Sequence, residues 1–148
     1  MGRYERSSVI DAPVERVFAF HERPDAVKLL TPAWLLPRVE RLRGEGLEAG
    51  VELIVTTLLG PWHAMHTAYV RDRLFVDEIV SGPFRKWRHE HRFEALLEEG
   101  APRTLLTDSM TFEHKFAPAW AVQPGLALLF AYRHRVTRKF CEARGGER

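Results

Sequence analysis

Residues 84–93, FRKWRHEHRF, carry an alternation that few folds can accommodate. Trp87, His89, His91 and Phe93 fall on one parity; Lys86, Arg88, Glu90 and Arg92 fall on the other. A helix would mix the two sets on every face, whereas a strand sends successive side chains to opposite sides. The stretch is predicted as a strand with a charged outer face and an inner face of aromatic and imidazole rings. That inner face must be covered, and the rest of the chain has to supply the cover.

Upstream, residues 3–10 alternate loosely and predict a strand, closed by Asp11-Ala12-Pro13. Asp11 is expected to cap a short helix over 13–20, with Pro13 in its first turn. Pro24 opens a second short helix to residue 29. The proline-bracketed segment 31–37, TPAWLLP, is predicted as a loop whose Trp34 folds inward or lines a mouth. Strands are predicted over 38–43, 51–59, 62–71, 74–80, 84–97 and 104–115, with Gly60-Pro61 and 98–103 as turns. Connections this short between consecutive strands imply an antiparallel meander. The chain closes on a helix over 124–142, opened by Pro124 and striped by Val122, Leu126, Leu129, Val136 and Phe140. Beyond it, Arg144 and Gly145-Gly146 read as a solvated end.

A chain of 148 residues is expected to form one domain, residues 1–148. Its 22 basic and 20 acidic residues nearly balance, so no nucleic-acid partner is expected. The N-terminus lacks an apolar run and no stretch is long enough to span a bilayer, so neither a signal peptide nor stable membrane insertion is expected. A single cysteine, Cys141, rules out an internal disulfide and points weakly to a cytoplasmic protein. Nothing in the chain indicates an oligomeric state. Phosphate loops, dinucleotide fingerprints and nucleophile elbows are missing from the sequence.

A set of residues spread over nearly the whole chain carries a family likeness. It comprises Ile10-Asp11-Ala12-Pro13 with Val17-Phe18, Trp62 after Gly60-Pro61, Phe75-Val76-Asp77, and Gly82-Pro83-Phe84 with Trp87-Arg88-His89 and His91. Thr104 to Asp108 and Phe130-Ala131-Tyr132-Arg133 complete it. With these residues the chain resembles the START/Bet v 1-like (SRPBCC) superfamily, and within it the small bacterial polyketide cyclase/dehydrase or coenzyme-Q-binding-like proteins. The resemblance implies an α+β helix-grip fold: a curved antiparallel sheet wrapped around a long C-terminal helix, with two short helices after the first strand. It leaves the activity open, because this fold hosts carriers, binding proteins and enzymes alike.

The inward parity collects the candidate site. His89 and His91 share a face; Asp77 shares its face with Phe75 and Ile79; Asp108 shares its face with Leu106, Met110, Phe112 and His114. His63 and His66 point to opposite sides of one strand. A cavity between sheet and C-terminal helix is expected, lined by Trp34, His66, Asp77, Trp87, His89, His91, Phe93, Asp108, Met110, Phe112, Leu126 and Phe130. Such a lining suits a lipid, quinone or polyketide, bound for transport or sequestration. Two alternatives stay open: a cyclase or dehydratase with Asp108 or His89 as general base, and an accessory interaction protein with a filled core. A buried hydrogen-bond network is the plainer account of the Asp and His residues. A His-x-His pair can ligate zinc or copper with a third ligand from His66, Asp108 or His114, but no spacing selects one, and no metal or cofactor is expected.

Overall fold

The structure, a computed structural model, describes residues 1–97 and 100–142. Strand β1 (Gly2–Ile10) is followed by helices α1 (Val14–Glu22) and α2 (Ala26–Leu29) and a 3-10 turn, Ala33–Leu35. Strands β2 (Arg38–Arg43), β3 (Glu52–Thr57), β4 (Gly60–Val70), β5 (Leu74–Ser81), β6 (Phe84–Leu96) and β7 (Arg103–His114) then lead to helix α3 (Ala119–Cys141). All seven strands form one antiparallel sheet in the order β1-β7-β6-β5-β4-β3-β2. The two short helices carry the chain from one sheet edge to the other, and the meander returns it beside β1. Register shifts interrupt the β2–β3, β4–β5 and β6–β7 ladders. Such bulges bend a sheet and increase its twist.

Several boundaries differ from the sequence expectation, each for a local reason. Pro13 is itself the N-cap of α1, extended at ψ 151°, and no side chain caps the helix. Asp11 instead donates its backbone N–H to the Glu142 carboxylate at 2.9 Å. Gly60 and Pro61 are not a break: they pair with Thr57 and Thr56 inside β4, and the turn falls on exposed Leu58-Leu59. Pairing with β5 begins only at His63, so Pro61 occupies the start of a strand, where a proline is tolerated. Helix α3 starts after Pro118, not at Pro124, which lies within it. Its buried face is Leu126, Phe130, His134, Thr137 and Cys141, so Phe140 is left 43% exposed. The predicted 98–103 turn falls in part, and Arg144 with Gly145-Gly146 entirely, outside the described residues.

The inner face of the sheet is built in three bands. One apolar cluster gathers around Phe18 of α1, with Ile10, Phe75, Phe93 and Leu106. A second gathers around Phe130 of α3, with Phe84, Trp87, Met110, Phe112 and Leu126. Between them runs a polar belt. On β5 it is Asp77, between Phe75 and Ile79; on β6, His91 and His89, between Phe93 and Trp87; on β7, Asp108, between Leu106 and Met110. Helix α3 adds His134, one turn beyond Phe130. The apolar bands supply the driving force for folding. Replacing the fully buried Phe130 with alanine should cost about 3–5 kcal/mol in denaturant unfolding. Leu128→Ala, at a position 76% exposed on the same helix, should stay within about 0.5 kcal/mol.

Candidate functional site

The belt is organised by the carboxylate of Asp108, which is 4% exposed. Its Oδ1 accepts the Nε2–H of His89 at 2.7 Å and faces Nδ1 of His91 at 3.2 Å. Its Oδ2 accepts the Nε2–H of His134 at 2.6 Å, and the other nitrogen of that ring meets the Ser8 hydroxyl at 2.7 Å. Burial alone would push the Asp108 carboxyl up. The hydrogen bonds from His134, His89 and His91 outweigh it and hold the group well below the usual carboxylate range.

Asp77 completes a four-member box. Its Oδ2 accepts the Nε2–H of His91 at 2.8 Å and lies 3.6 Å from Nδ1 of His89. Burial again works against its charge, but His91 and His89 together bring the carboxyl down to about 2. The two imidazoles stack with centroids 3.6 Å apart, and Phe75 stacks on the far side of His91 at 3.8 Å. Both nitrogens of His91 face carboxylates, which requires a proton on each. Its charge is opposed by burial but favoured more strongly by Asp108 and Asp77, so it titrates above the usual imidazole range. Burial and the charge on His91 hold His89 lower than usual despite its bond to Asp108. The protons are thus unequally shared between two adjacent rings.

The other predicted residues divide. His66 reaches the inner face but gives Nδ1 to the Leu47 carbonyl at 2.9 Å, and burial lowers it. Trp87, Phe93, Met110, Phe112, Leu126 and Phe130 are packed into the two apolar clusters. Trp34 is 72% exposed and stands apart from the belt. His63 is on the opposite side of β4, paired with Glu52 at 3.0 Å. His114 accepts the backbone N–H groups of Phe116 and Ala117, which occupies its Nδ1. Of the other residues near His89 and His91 in the sequence reading, His66 and His114 are engaged elsewhere, and Asp108 meets the ring nitrogens opposite those that face Asp77. Among the described residues, Asp77, His89 and His91 offer donor atoms within 4.8 Å of one another. Cys141 is buried, its thiol pushed up to about 12, and so is no nucleophile. His134 and Ser8 were not anticipated. The signal for His134 was its place four residues after Phe130, on the same helical face.

The helix covers only part of the sheet. Helix α3 packs on β1 and β7, and α1 packs on β6, β7 and α3. On β2 to β5 the inward register carries Val39, Val55, Trp62 and Ile79, all half-buried. Asp77 borders that strip, its side chain 16% exposed. On these strands the inward face is thus half-buried, with Trp62 and Ile79 resting against the Phe130 cluster. A separate groove of about 570 Å³ lies at the sheet's far edge, between Ala33, Leu36, Pro37 and Thr56–Leu58.

Burial of neutral histidines makes the fold acid-sensitive. Burial lowers His21 from 6.5 to about 4, against the hydrogen bond of its Nδ1–H to the Val17 carbonyl. The stability gained by keeping it neutral is complete above about pH 6.5 and is lost as the pH falls towards 4. Between pH 7 and 5 this loss should be on the order of 2 kcal/mol. Urea unfolding at the two pH values should show it in the wild type and show a correspondingly smaller change in His21→Leu.

The fold matches known structures at low sequence identity. The protein XoxI from Bacillus cereus aligns with a TM-score of 0.74 at 11% identity, over 94% of each chain. A START superfamily protein from Mycobacterium smegmatis aligns at 0.73 and 13% identity, over 94% of this chain and 96% of that one. A nucleoside-diphosphate sugar epimerase from Corynebacterium glutamicum aligns at 0.67 and 27% identity; 92% of this chain matches 28% of that longer one. No curated protein matches the sequence. No described helix is long and apolar enough to cross a membrane. The fold is the START-like helix grip, and with residues 54–140 matching DUF8410, a domain of unknown function, the chain belongs to that family.

Proposed function

We propose that this chain is a single cytoplasmic domain that binds a small hydrophobic molecule carrying a polar group. The binding site is the cleft between α3 and the inner faces of β2 to β5. One observation carries this reading: α3 packs on β1 and β7, while the inward Val39, Val55, Trp62 and Ile79 of β2 to β5 stay half-buried beside the partly exposed carboxylate of Asp77. The ligand's apolar body, of lipid, quinone or polyketide type, lies on Val39, Val55, Trp62 and Ile79. Its polar group meets Asp77. Asp108 and His89 are poor candidates for a general base, because each is under 5% exposed and already engaged in hydrogen bonds. Native mass spectrometry of the purified protein should show a retained small molecule. Val55→Trp, which fills the cleft from a half-buried position, should reduce retention at least tenfold with an unchanged circular dichroism spectrum. Retention equal to the wild type would move the site elsewhere.

A second reading rests on the 27% identical match. In that structure a segment like this chain is part of a sugar-nucleotide epimerase. By analogy, the chain serves as an accessory module to an epimerase-type enzyme. A protein that retains no small molecule, yet alters the turnover of such an enzyme when added to it, would favour this reading over the carrier.

A further inference from the structure

The belt has an asymmetry that a purely structural network does not need. Each of the two stacked imidazoles has one nitrogen directed at Asp108 and the other towards Asp77. The Asp108-directed atoms are Nε2 of His89 and Nδ1 of His91, at 2.7 and 3.2 Å from the same oxygen. The Asp77-directed atoms are Nδ1 of His89 and Nε2 of His91, at 3.6 and 2.8 Å from Asp77 Oδ2. Three donor atoms, two imidazole nitrogens and one carboxylate oxygen, therefore converge on one side. On the other side a single buried carboxylate orients both rings. Metal-bound histidines commonly have their remote N–H fixed by a carboxylate in this way. Asp108 is itself held by His134, whose far nitrogen rests on Ser8.

We propose that Asp77, His89 and His91 form a binding site for a divalent first-row transition ion, with Asp108 as the group that orients both histidines. The separations suit such an ion. Zinc ligands at about 2.0–2.1 Å stand about 3.3 Å apart around a tetrahedron, and the Asp77 contacts of 2.8 and 3.6 Å bracket that value. The donor set of two nitrogens and one oxygen, without thiolate, favours zinc, iron, cobalt or nickel over calcium and magnesium. The ion takes the place of the proton that His91 Nε2 shares with Asp77. Coordination requires the stacked rings, now 28° from parallel, to splay. Asp77 borders the open cleft and leaves a coordination position facing it. The site stands whether or not the cleft takes a hydrophobic ligand.

The test uses the full chain, treated with chelator and then titrated with Co²⁺ and Zn²⁺. One ion per chain is expected, with the intense visible absorption of low-coordinate Co²⁺. X-ray absorption of the Zn²⁺-loaded wild type is expected to show two imidazoles in the first shell. Asp77→Asn and His89→Gln should each weaken binding at least tenfold. His63→Gln, which alters the histidine paired with Glu52 on the other side of the sheet, should leave it unchanged. Failure of the wild type to bind, an absorption spectrum without two imidazoles, or loss only in His63→Gln would overturn the assignment. The wild-type spectrum decides the matter even if a belt variant does not fold.

Discussion

A carboxylate 4% exposed beneath a helix is the constraint that the rest of this fold depends on. Removing an ionised group from water costs several kcal/mol unless donors replace the lost hydration. Asp108 obtains its donors from two secondary-structure elements, β6 and α3, and through Ser8 the arrangement extends to β1. This ties together parts of the chain distant in sequence. His91 pairs directly with Asp108 across the β6–β7 ladder. A slip of one residue would send the imidazoles to the solvent face and leave the carboxylate unpaired. The rotation of α3 is set by the same requirement, since His134 must face inward alongside Phe130.

The belt is not the cheapest way to fill this interior. Buried ionic groups replaced by apolar residues of similar volume often give an equally stable or more stable protein. Apolar clusters on either side of the belt already contain the bulk needed for a continuous core. What the belt adds is register, orientation and a set of polar atoms at a fixed place on the concave face. Conformational specificity accounts for Asp108 and His134, which are fully engaged inside. It accounts less well for Asp77, whose side chain is the most exposed of the belt's acids and imidazoles around the box.

Much of this was legible in the sequence because strands keep a period of two. The alternating runs Phe75-x-Asp77, Trp87-x-His89-x-His91-x-Phe93 and Leu106-x-Asp108-x-Met110 place each polar residue on the same face as its apolar neighbours. The order of elements followed from the alternating runs and from Pro13 at the start of α1, whereas Pro124 misplaced the start of α3. Three things were hidden. The bond from His91 to Asp77 is a diagonal one, because the ladders set Asp77 opposite His89 on β6 and opposite His66 on β4, and no local pattern specifies which imidazole it takes. His134 was missed because the helix face was chosen by apolar residues alone, and the true face carries a histidine and a threonine. The extent of helix cover is a tertiary property, which no local pattern specifies.

Depth separates the belt's two carboxylates into different roles. Asp108 lies beneath α3 and is saturated by imidazole N–H groups, so any change in its charge would be felt by β6, β7 and α3 together. Asp77 accepts one close hydrogen bond and stands 3.6 Å from a second imidazole nitrogen that has no proton to give while His89 donates through Nε2. A neutral imidazole with its lone pair turned towards a carboxylate oxygen is an unfavourable juxtaposition of two acceptors. A proton or a cation between them relieves it. The inner carboxylate thus turns the remaining nitrogen of each ring towards Asp77, the more exposed of the two acids.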